Sequence, residues 1–222
     1  MTTQSDFKNF AVFTVDIRSV EQKTSKEGKP YAIANAVLPM EDDPMPLRIV
    51  ALDGIAASIV TGQLTLVGRL GYDEKDGKGT ATKEQSIVFF PTKVEPAPSD
   101  GKLRNYVNLT LRAGQDADPR YSDAGHFWTR VRMALSQGKD ASGNYKPSLW
   151  LTVKGFTSKE GDEAVPQALA KLNKGDLATI TGRLAYEVSA SNGKGYFNLV
   201  AFKVEAPQAA QPEAAAEEDC PY

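Results

Sequence analysis

Hydrophobic and polar residues alternate along most of the chain. The alternation is strictest in residues 106–112, YVNLTLR, where Val107, Leu109 and Leu111 share one face of an extended segment. Similar runs rich in β-forming residues occupy 10–18, 31–38, 47–52, 127–135 and 149–156. Helical spacing is confined to residues 54–60 and to the run that contains Leu169 and Leu172. The pattern predicts an all-β protein with short connecting helices.

Part of the chain is an internal repeat. Residues 169–205 contain a short helical pattern, a strand, a tight turn at Asn192 and Gly193, and a second strand, and residues 62–95 are a shorter version of the same stretch. Four residues return 114 positions later: Gly68, Arg69, Leu70 and Tyr72 as Gly182, Arg183, Leu184 and Tyr186. The period is too long for a solenoid repeat, so each copy is expected to enclose its own core.

Three strands, a helix and two further strands are predicted in each copy. This order is expected of an OB-fold, a five-stranded Greek-key barrel whose sheet face and loops bind oligonucleotides. The sequence therefore predicts two tandem OB-fold barrels, residues 1–95 and 103–206. Residues 96–102 form a linker with proline and glycine, and residues 207–222 are expected to be a disordered acidic C-terminal tail.

Charge is distributed unevenly along the chain. The whole sequence has a net charge of -2, but residues 1–98 carry -2, residues 99–206 carry +4 and residues 207–222 carry -4. A basic domain tethered to an acidic tail favours a polyanion as the ligand of the domain and a different partner for the tail.

Composition argues against several classes of protein. No apolar run approaches the roughly 20 residues that cross a bilayer, and the first residues lack the apolar stretch of a signal peptide, so we expect a cytoplasmic protein without membrane contact. A single cysteine, Cys220, excludes an intramolecular disulfide. Cys220 and the single histidine, His126, are far apart in sequence, which disfavours a catalytic pair or a metal site. We therefore expect no enzyme activity and no cofactor.

Aromatic and basic residues occupy the outward positions of two strands in the second copy. An exposed ring offers a base a stacking platform worth roughly 1 to 3 kcal/mol, while a neighbouring cation pairs with a phosphate. The alternative is that one or both tryptophans close the end of the barrel core, since the alternation can slip by one residue. The candidate DNA-binding residues of these strands are Trp128, Arg130, Arg132, Trp150, Lys154 and Phe156.

Loops near these strands are expected to extend the binding groove. Loops at one rim of an OB barrel commonly do so, although a solvated hairpin is the alternative. Between the strands at 127–135 and 149–156 the candidates are Lys139, Tyr145 and Lys146. Before the strand at 127–135 they are Arg120, Tyr121 and His126. Arg112 faces outward on the strand at 106–112.

The second copy is expected to carry most of the affinity for nucleic acid. Both tryptophans lie in it, and it is the basic part of the chain. In the first copy, an aliphatic residue or Arg48 is expected at the position of Trp150.

One family resembles this chain. Residues 149–187, LWLTVKGF to GRLAYE, resemble the single-stranded DNA-binding proteins of bacteria and their phages, in which a Trp-bearing strand precedes a helix ending in Lys-Gly and a strand with Gly-Arg-Leu. The terminal EEDCPY resembles the acidic tail of that family, which ends in proline and an aromatic residue. The resemblance covers the second copy and the tail, and it extends to the first copy through the internal repeat.

The resemblance implies a function and partners. It implies sequence-independent binding and protection of single-stranded DNA in replication, recombination and repair, and a homodimer like other variants with tandem OB-folds. It also implies recruitment of partner proteins by the tail residues Glu217, Glu218, Asp219, Pro221 and Tyr222. Cys220 departs from the aliphatic residue usual before the proline. The alternative function is an assembly or recruitment subunit that contacts proteins and binds nucleic acid weakly.

Overall fold

The computed structural model describes residues 8–40, 44–72, 87–140, 142–189, 193 and 195–208. Within these residues the strands are β1 (Asn9–Thr24), β2 (Pro30–Leu38), β3 (Met45–Leu52), β4 (Gly62–Tyr72), β5 (Ile87–Pro96), β6 (Asn105–Ala113), β7 (Asp118–Tyr121), β8 (Phe127–Leu135), β9 (Leu149–Phe156), β10 (Leu177–Val188) and β11 (Gly195–Gln208). A 3₁₀ helix spans Asp53–Ser58, and the helix α1 spans Ala164–Ala170. In this part of the chain no helix is long and apolar enough to cross a membrane.

The strands form two closed barrels. In the first, β1 pairs with β2, β2 with β3, β3 in parallel with β5, β5 with β4, and β4 with β1 again. In the second, β6, β8, β9, β11 and β10 repeat this circuit, again with one parallel pair, β9 with β11. The predicted fold class, an all-β chain with two five-stranded OB barrels, is confirmed for the described residues. The tail at 209–222 lies outside them.

Each barrel is filled by the inward residues of its strands. In the first barrel the rings of Phe13 and Phe89 meet edge to face, 5.1 Å apart, and both are fully buried. In the second, Leu109 and Leu151 are equally inaccessible, as the alternation predicts. Burial of each such side chain stabilises the fold by about 1.5–3 kcal/mol. The core therefore follows directly from the period of two in the sequence.

The helix α1 begins earlier than predicted and closes one end of the second barrel. It buries Pro166 and Leu169. Leu172, expected on the same helix, follows its last turn but is also buried, and Gly175 adopts a positive φ of 97° in the turn before β10. Glycine adopts this conformation without steric cost. The helix itself ends at Ala170 with Lys171 in a right-handed conformation as its C-cap, so the prediction of a helix ended by this glycine is wrong.

The repeated Gly-Arg-Leu triplet has a backbone cause. Gly68 and Gly182 lie at β-bulges, where the register of β4 with β5 and of β10 with β11 shifts. A Cβ added to Gly68 would overlap the carbonyl oxygen of Phe90, and one added to Gly182 would overlap that of Val200. The interpretation of this repeat as a shared structural position agrees with the close backbone approach at both glycines.

The two barrels are joined edge to edge by a pairing that sequence analysis did not predict. β1 pairs with β6 in antiparallel register from Asn9 opposite Leu109 to Phe13 opposite Asn105. The Asn9 side chain exchanges two hydrogen bonds with the backbone of Leu70, of 2.8 and 2.9 Å, and Asn105 makes the same pair with Leu184. The duplicated halves are therefore related by an approximate two-fold axis.

One further strand was predicted to be a loop. β7, Asp118–Tyr121, pairs with β8 in antiparallel register and widens its sheet by one strand. Only four residues long and containing Pro119, it lacks the run of alternating residues that identifies a strand. Of the predicted Asn192–Gly193 turn, the structure describes only Gly193, with φ 66°.

Candidate nucleic-acid interface

The candidate aromatic and basic residues lie together on the outward face of β8 and β9, called here the β8–β9 face. The antiparallel register sets cross-strand neighbours side by side on one face. The pairs are Trp128 with Phe156, Arg130 with Lys154, Arg132 with Thr152, and Ala134 with Trp150.

Trp150 is exposed at one end of this face. Its side chain is 37% accessible, so it lies on the surface and does not close the core. The guanidinium carbon of Arg132 is 5.7 Å from the centre of its ring. The ring also packs on Gly114, where an added Cβ would lie 2.8 Å from the ring atom Cη2. Gly114, which no motif in the sequence identifies, therefore helps to position the ring.

Trp128 at the other end is more covered than expected. Its ring lies nearly parallel to that of Phe156, with centroids 6.0 Å apart, and the guanidinium carbon of Arg120 is 5.8 Å from its centre. The added strand β7 places Arg120 directly opposite Trp128. The more exposed ring of this pair is that of Phe156, which is 46% accessible.

Three of the candidate cations are paired with carboxylates. Asp118 accepts hydrogen bonds from Arg120 and from Nε of Arg130, the latter of 2.8 Å, and these bonds hold the pKa of Asp118 below its usual value. The ammonium of Lys154 is 2.6 Å from a carboxylate oxygen of Glu187. A phosphate at Arg130 or Lys154 would compete with a carboxylate already present.

Replacement of Asp118 by asparagine is expected to strengthen the binding of single-stranded DNA. The change removes a negative charge from the β8–β9 face and releases Arg120 and Arg130 for phosphates. Each additional phosphate contact should steepen the dependence of log affinity on log salt by about 0.7. Titrations of oligo(dT) at several salt concentrations measure this slope; the matched control is Asp100→Asn between the barrels. An unchanged slope and affinity would show that the two arginines contact no phosphate.

The remaining predicted residues surround the same face. The guanidinium of Arg112 donates a 2.7 Å hydrogen bond to the carbonyl oxygen of Gly175, so this side chain has a structural contact. Between β8 and β9, the ammonium of Lys139 lies 4.8 Å from the ring centre of Tyr145, and the backbone of Lys146 bonds to Gly138. This segment starts next to the end of the face at Ala134 and Trp150. Its contribution to an extended groove stays a prediction.

Asn198 is a buried polar residue that sequence analysis did not single out. It lies on β11 beside Thr152, on the side that faces away from the barrel core, and is only 4% accessible. Its amide nitrogen has no hydrogen-bond partner among the described residues. The parallel pairing of Arg48 with Val88 in the first barrel corresponds to that of Thr152 with Asn198 in the second, so the apolar Val88 occupies the equivalent position. A buried unpaired donor costs about 1–3 kcal/mol, and the first barrel avoids this cost.

The equivalent face of the first barrel is mostly aliphatic. Arg48 on β3 pairs with Val88 on β5 in the first barrel as Thr152 on β9 pairs with Asn198 on β11 in the second. Arg48 is therefore equivalent to Thr152, and Pro46, two residues earlier, is equivalent to Trp150. The expectation of Arg48 there is wrong by two residues, because sequence alignment did not fix the register. Leu52 occupies the position of Phe156, and Tyr31, opposite Leu52, that of Trp128. This face therefore lacks the combination of exposed indole and cation.

The described residues contain no group of three or more His, Cys, Asp or Glu side chains placed to hold a metal ion.

Two closed five-stranded barrels in one chain, with rings and cations on the sheet face of the second, define a protein with tandem OB-folds.

Comparison with solved structures gives the same architecture over nearly the whole chain. The wild-type single-stranded DNA-binding protein of Thermus aquaticus superposes with a TM-score of 0.63 and 19% identity, over 96% of this chain and 98% of that one. A deletion mutant of the Thermus aquaticus protein gives a TM-score of 0.61 and 20% identity, over 94% and 98%. No protein-family model matches the sequence, and no curated protein does.

Proposed function

We propose that this chain binds and protects single-stranded DNA without sequence preference, as a non-enzymatic protein of replication, recombination and repair in the cytoplasm. The observation that carries the proposal is the exposed Trp150 ring beside the guanidinium of Arg132 on an open sheet face. Ring and cation together suit a single strand, whose bases are free to stack while its phosphates remain charged. The structural similarity to the Thermus aquaticus protein supports the same function.

The size of the β8–β9 face fits a few nucleotides. From Trp150 to Phe156 the strand advances six residues, or about 20 Å at roughly 3.3 Å per residue. A stacked strand rises about 3.4 Å per nucleotide, so this distance accommodates about six nucleotides. OB-folds occupy about 4–16 nucleotides each. Bases stack on Trp150 and Phe156 at the ends, while Arg132, Arg130 and Lys154 contact phosphates between them.

A comparison of single-stranded and duplex DNA tests the proposal. Fluorescence anisotropy of labelled oligo(dT) and of a labelled duplex of equal length, at the same salt concentration, gives the two affinities. We expect tight binding of oligo(dT) and much weaker binding of the duplex, whose bases are unavailable for stacking. Equal affinities would show that only charge is recognised and would contradict the proposal.

We also propose that the C-terminal tail recruits other proteins. Four acidic residues followed by a proline and a tyrosine suit a basic pocket on a partner, with the charges steering the encounter and the ring anchoring it. The residues concerned are Glu217, Glu218, Asp219, Pro221 and Tyr222, all outside the described residues.

Deletion of residues 213–222 should leave the affinity for single-stranded DNA unchanged or slightly raised. The acidic tail competes weakly with DNA for the basic barrel at low salt, and its removal ends that competition. The deletion should abolish the capture of replication and repair proteins from a lysate of the source cell. Equal recovery of those proteins by full-length and shortened chains would leave the tail a role in solubility alone.

A homodimer is the proposed assembly, with four barrels around the DNA. An aromatic pair supports it: Phe10 and Tyr106 lie at equivalent positions on the outer side of the joined β1–β6 sheet, 43% and 38% accessible, with ring centroids 6.3 Å apart. Light scattering should give twice the chain mass of 24.0 kDa. The double variant Phe10→Glu, Tyr106→Glu should lower this mass toward that of one chain. A wild-type mass of one chain would contradict the proposal.

The first barrel is proposed to space and assemble the binding domains. It carries Pro46 where the second barrel has Trp150, and residues 1–98 have a net charge of -2. Its contribution to DNA affinity should therefore be the smaller one.

A further inference from the structure

Asn198 is shielded from water although it lies on the open side of the second barrel. The next residue on β11, Leu199, is in the core, so the Asn198 side chain points to the same side as that of Thr152, its neighbour on β9. This side continues the β8–β9 face, on which Trp150 and Phe156 are exposed, yet Asn198 is only 4% accessible. A group above the sheet must therefore cover the amide.

The ion pair of Lys154 and Glu187 provides this cover. Lys154 on β9 is level with Val200 on β11. Glu187 on β10 is level with Tyr196 on β11. Asn198 lies midway between these two β11 residues, so the ion pair crosses β11 at Asn198. The ammonium of Lys154 lies 2.6 and 2.8 Å from the two carboxylate oxygens of Glu187, and the Lys154 side chain is only 18% accessible.

The amide nitrogen beneath this ion pair is a donor without an acceptor. No described residue accepts a hydrogen bond from Asn198 Nδ2. Buried polar groups of native proteins nearly always have a partner, because an unpaired one lowers stability. The first barrel has Val88 at the equivalent position, and its face lacks the exposed indole and cation. An unpaired donor on the candidate binding face points to an acceptor that arrives with the ligand.

A phosphate is the acceptor that suits this position. Arg132 is opposite Thr152, the β9 neighbour of Asn198, and Lys154 is two residues further along β9. The amide therefore lies between two cations of the β8–β9 face. Asparagine side chains as well as cations donate to phosphate oxygens in complexes with DNA. A phosphate that draws Lys154 away from Glu187 also uncovers Asn198.

We propose that Asn198 is a DNA contact that the free protein keeps covered. A phosphate of the bound strand replaces Glu187 as the partner of Lys154, and the uncovered amide of Asn198 donates to the same phosphate. The proposal rests on the proposed binding of single-stranded DNA and adds one contact and one competing carboxylate to it. Asn198 thus lowers the stability of the free chain and raises its affinity for DNA, whereas Glu187 opposes binding.

Asn198→Val tests the contact because it should change stability and affinity in opposite directions. Valine is the residue that the first barrel has at this position, Val88. Removal of the unpaired donor should raise the melting temperature of the free chain by about 2–12 °C. The affinity for oligo(dT), measured by anisotropy at constant salt, should fall by about three- to tenfold, the size of one hydrogen bond. The salt slope should not change, because asparagine carries no charge.

Glu187→Gln tests the cover. It should raise the affinity for oligo(dT) by about two- to fivefold, the size of an exposed ion pair. The gain should be smaller in the double variant Asn198→Val, Glu187→Gln, because without the amide the strand gains less from opening the cover. The matched control is Glu27→Gln, which removes the same charge from the pair of Glu27 and Lys29 on the first barrel and should leave the affinity nearly unchanged.

Two homopolymers distinguish a phosphate from a base as the acceptor. Thymine carries carbonyl oxygens and adenine carries none, whereas their phosphates are the same. Asn198→Val should therefore weaken (dT)n and (dA)n of equal length by the same factor. A loss confined to (dT)n would place the amide against a base carbonyl and overturn the assignment to phosphate.

Three other results would overturn the proposal. An unchanged affinity in Asn198→Val would show that the amide does not contact DNA. A fall of both melting temperature and affinity in this variant would show that the amide supports the fold. An equal gain from Glu187→Gln with and without Asn198 would show that the ion pair does not control the amide. Each result leaves the binding of the wild type intact, whereas failure of the wild type to bind oligo(dT) would remove the proposed function itself.

Discussion

Replacement of Trp150 by alanine is expected to weaken the binding of oligo(dT) by about 1–3 kcal/mol, or about five- to 150-fold. The indole is the largest exposed ring on the β8–β9 face, and Arg132 lies 5.7 Å from its centre. Its loss removes both a stacking platform for a base and the ring that orients the cation. Anisotropy titrations at constant salt measure the change.

The effect should be confined to binding. Trp150 points away from the core, so its replacement should alter the melting temperature little. Tyr31→Ala is the matched control, because Tyr31 is the aromatic residue on the equivalent face of the first barrel, opposite Leu52. A greater loss of affinity in Tyr31→Ala than in Trp150→Ala would move the principal site to the first barrel.

Replacement of Gly182 by alanine is expected to destabilise the fold by about 3 kcal/mol, the upper end of the usual cost of overpacking. The added Cβ would overlap the carbonyl oxygen of Val200 in the paired strand. Backbone cannot move aside by changing a rotamer, so β10 and β11 would have to separate locally. For a chain of this length the melting temperature should fall by roughly 6–12 °C.

Gly54→Ala is the control for this prediction. An added Cβ at Gly54 would meet no atom within 4 Å apart from its chain neighbours and its own helical turn, and this glycine has no positive φ. Its replacement should leave the melting temperature unchanged or slightly raise it, since alanine restricts the unfolded chain more than glycine does. A melting temperature of Gly182→Ala close to that of Gly54→Ala would show that the bulge has room for a side chain.

The alternation of residues predicted most of the fold because the strands bury one face only. Val107, Leu109 and Leu111 are all buried, and the internal repeat correctly indicated two similar barrels. The pairing of β1 with β6 was not predictable in this way. Alternation shows which side of a strand faces the core but not which strand lies beside it. The hydrogen bonds of Asn9 to Leu70 and of Asn105 to Leu184 were not predictable either, because they join residues far apart in sequence.

The candidate site was predicted in composition but not in its electrostatics. Trp150, Arg132 and Phe156 lie on one face as the spacing indicates. Asp118 was not recognised, because its effect depends on β7, a strand too short to identify from its sequence. The residue at the Trp150 position of the first barrel was also missed, since a parallel register between distant strands assigns it to Pro46.

Intrinsic fluorescence tests the central claim most directly, because both tryptophans of the chain, Trp128 and Trp150, lie on the β8–β9 face. Titration of the wild-type chain with unlabelled oligo(dT) should quench its tryptophan emission. The quenching should saturate at the DNA concentration at which anisotropy saturates, and added salt should reverse both signals together. Binding by anisotropy without a change in tryptophan emission would place the DNA elsewhere on the molecule and contradict the account.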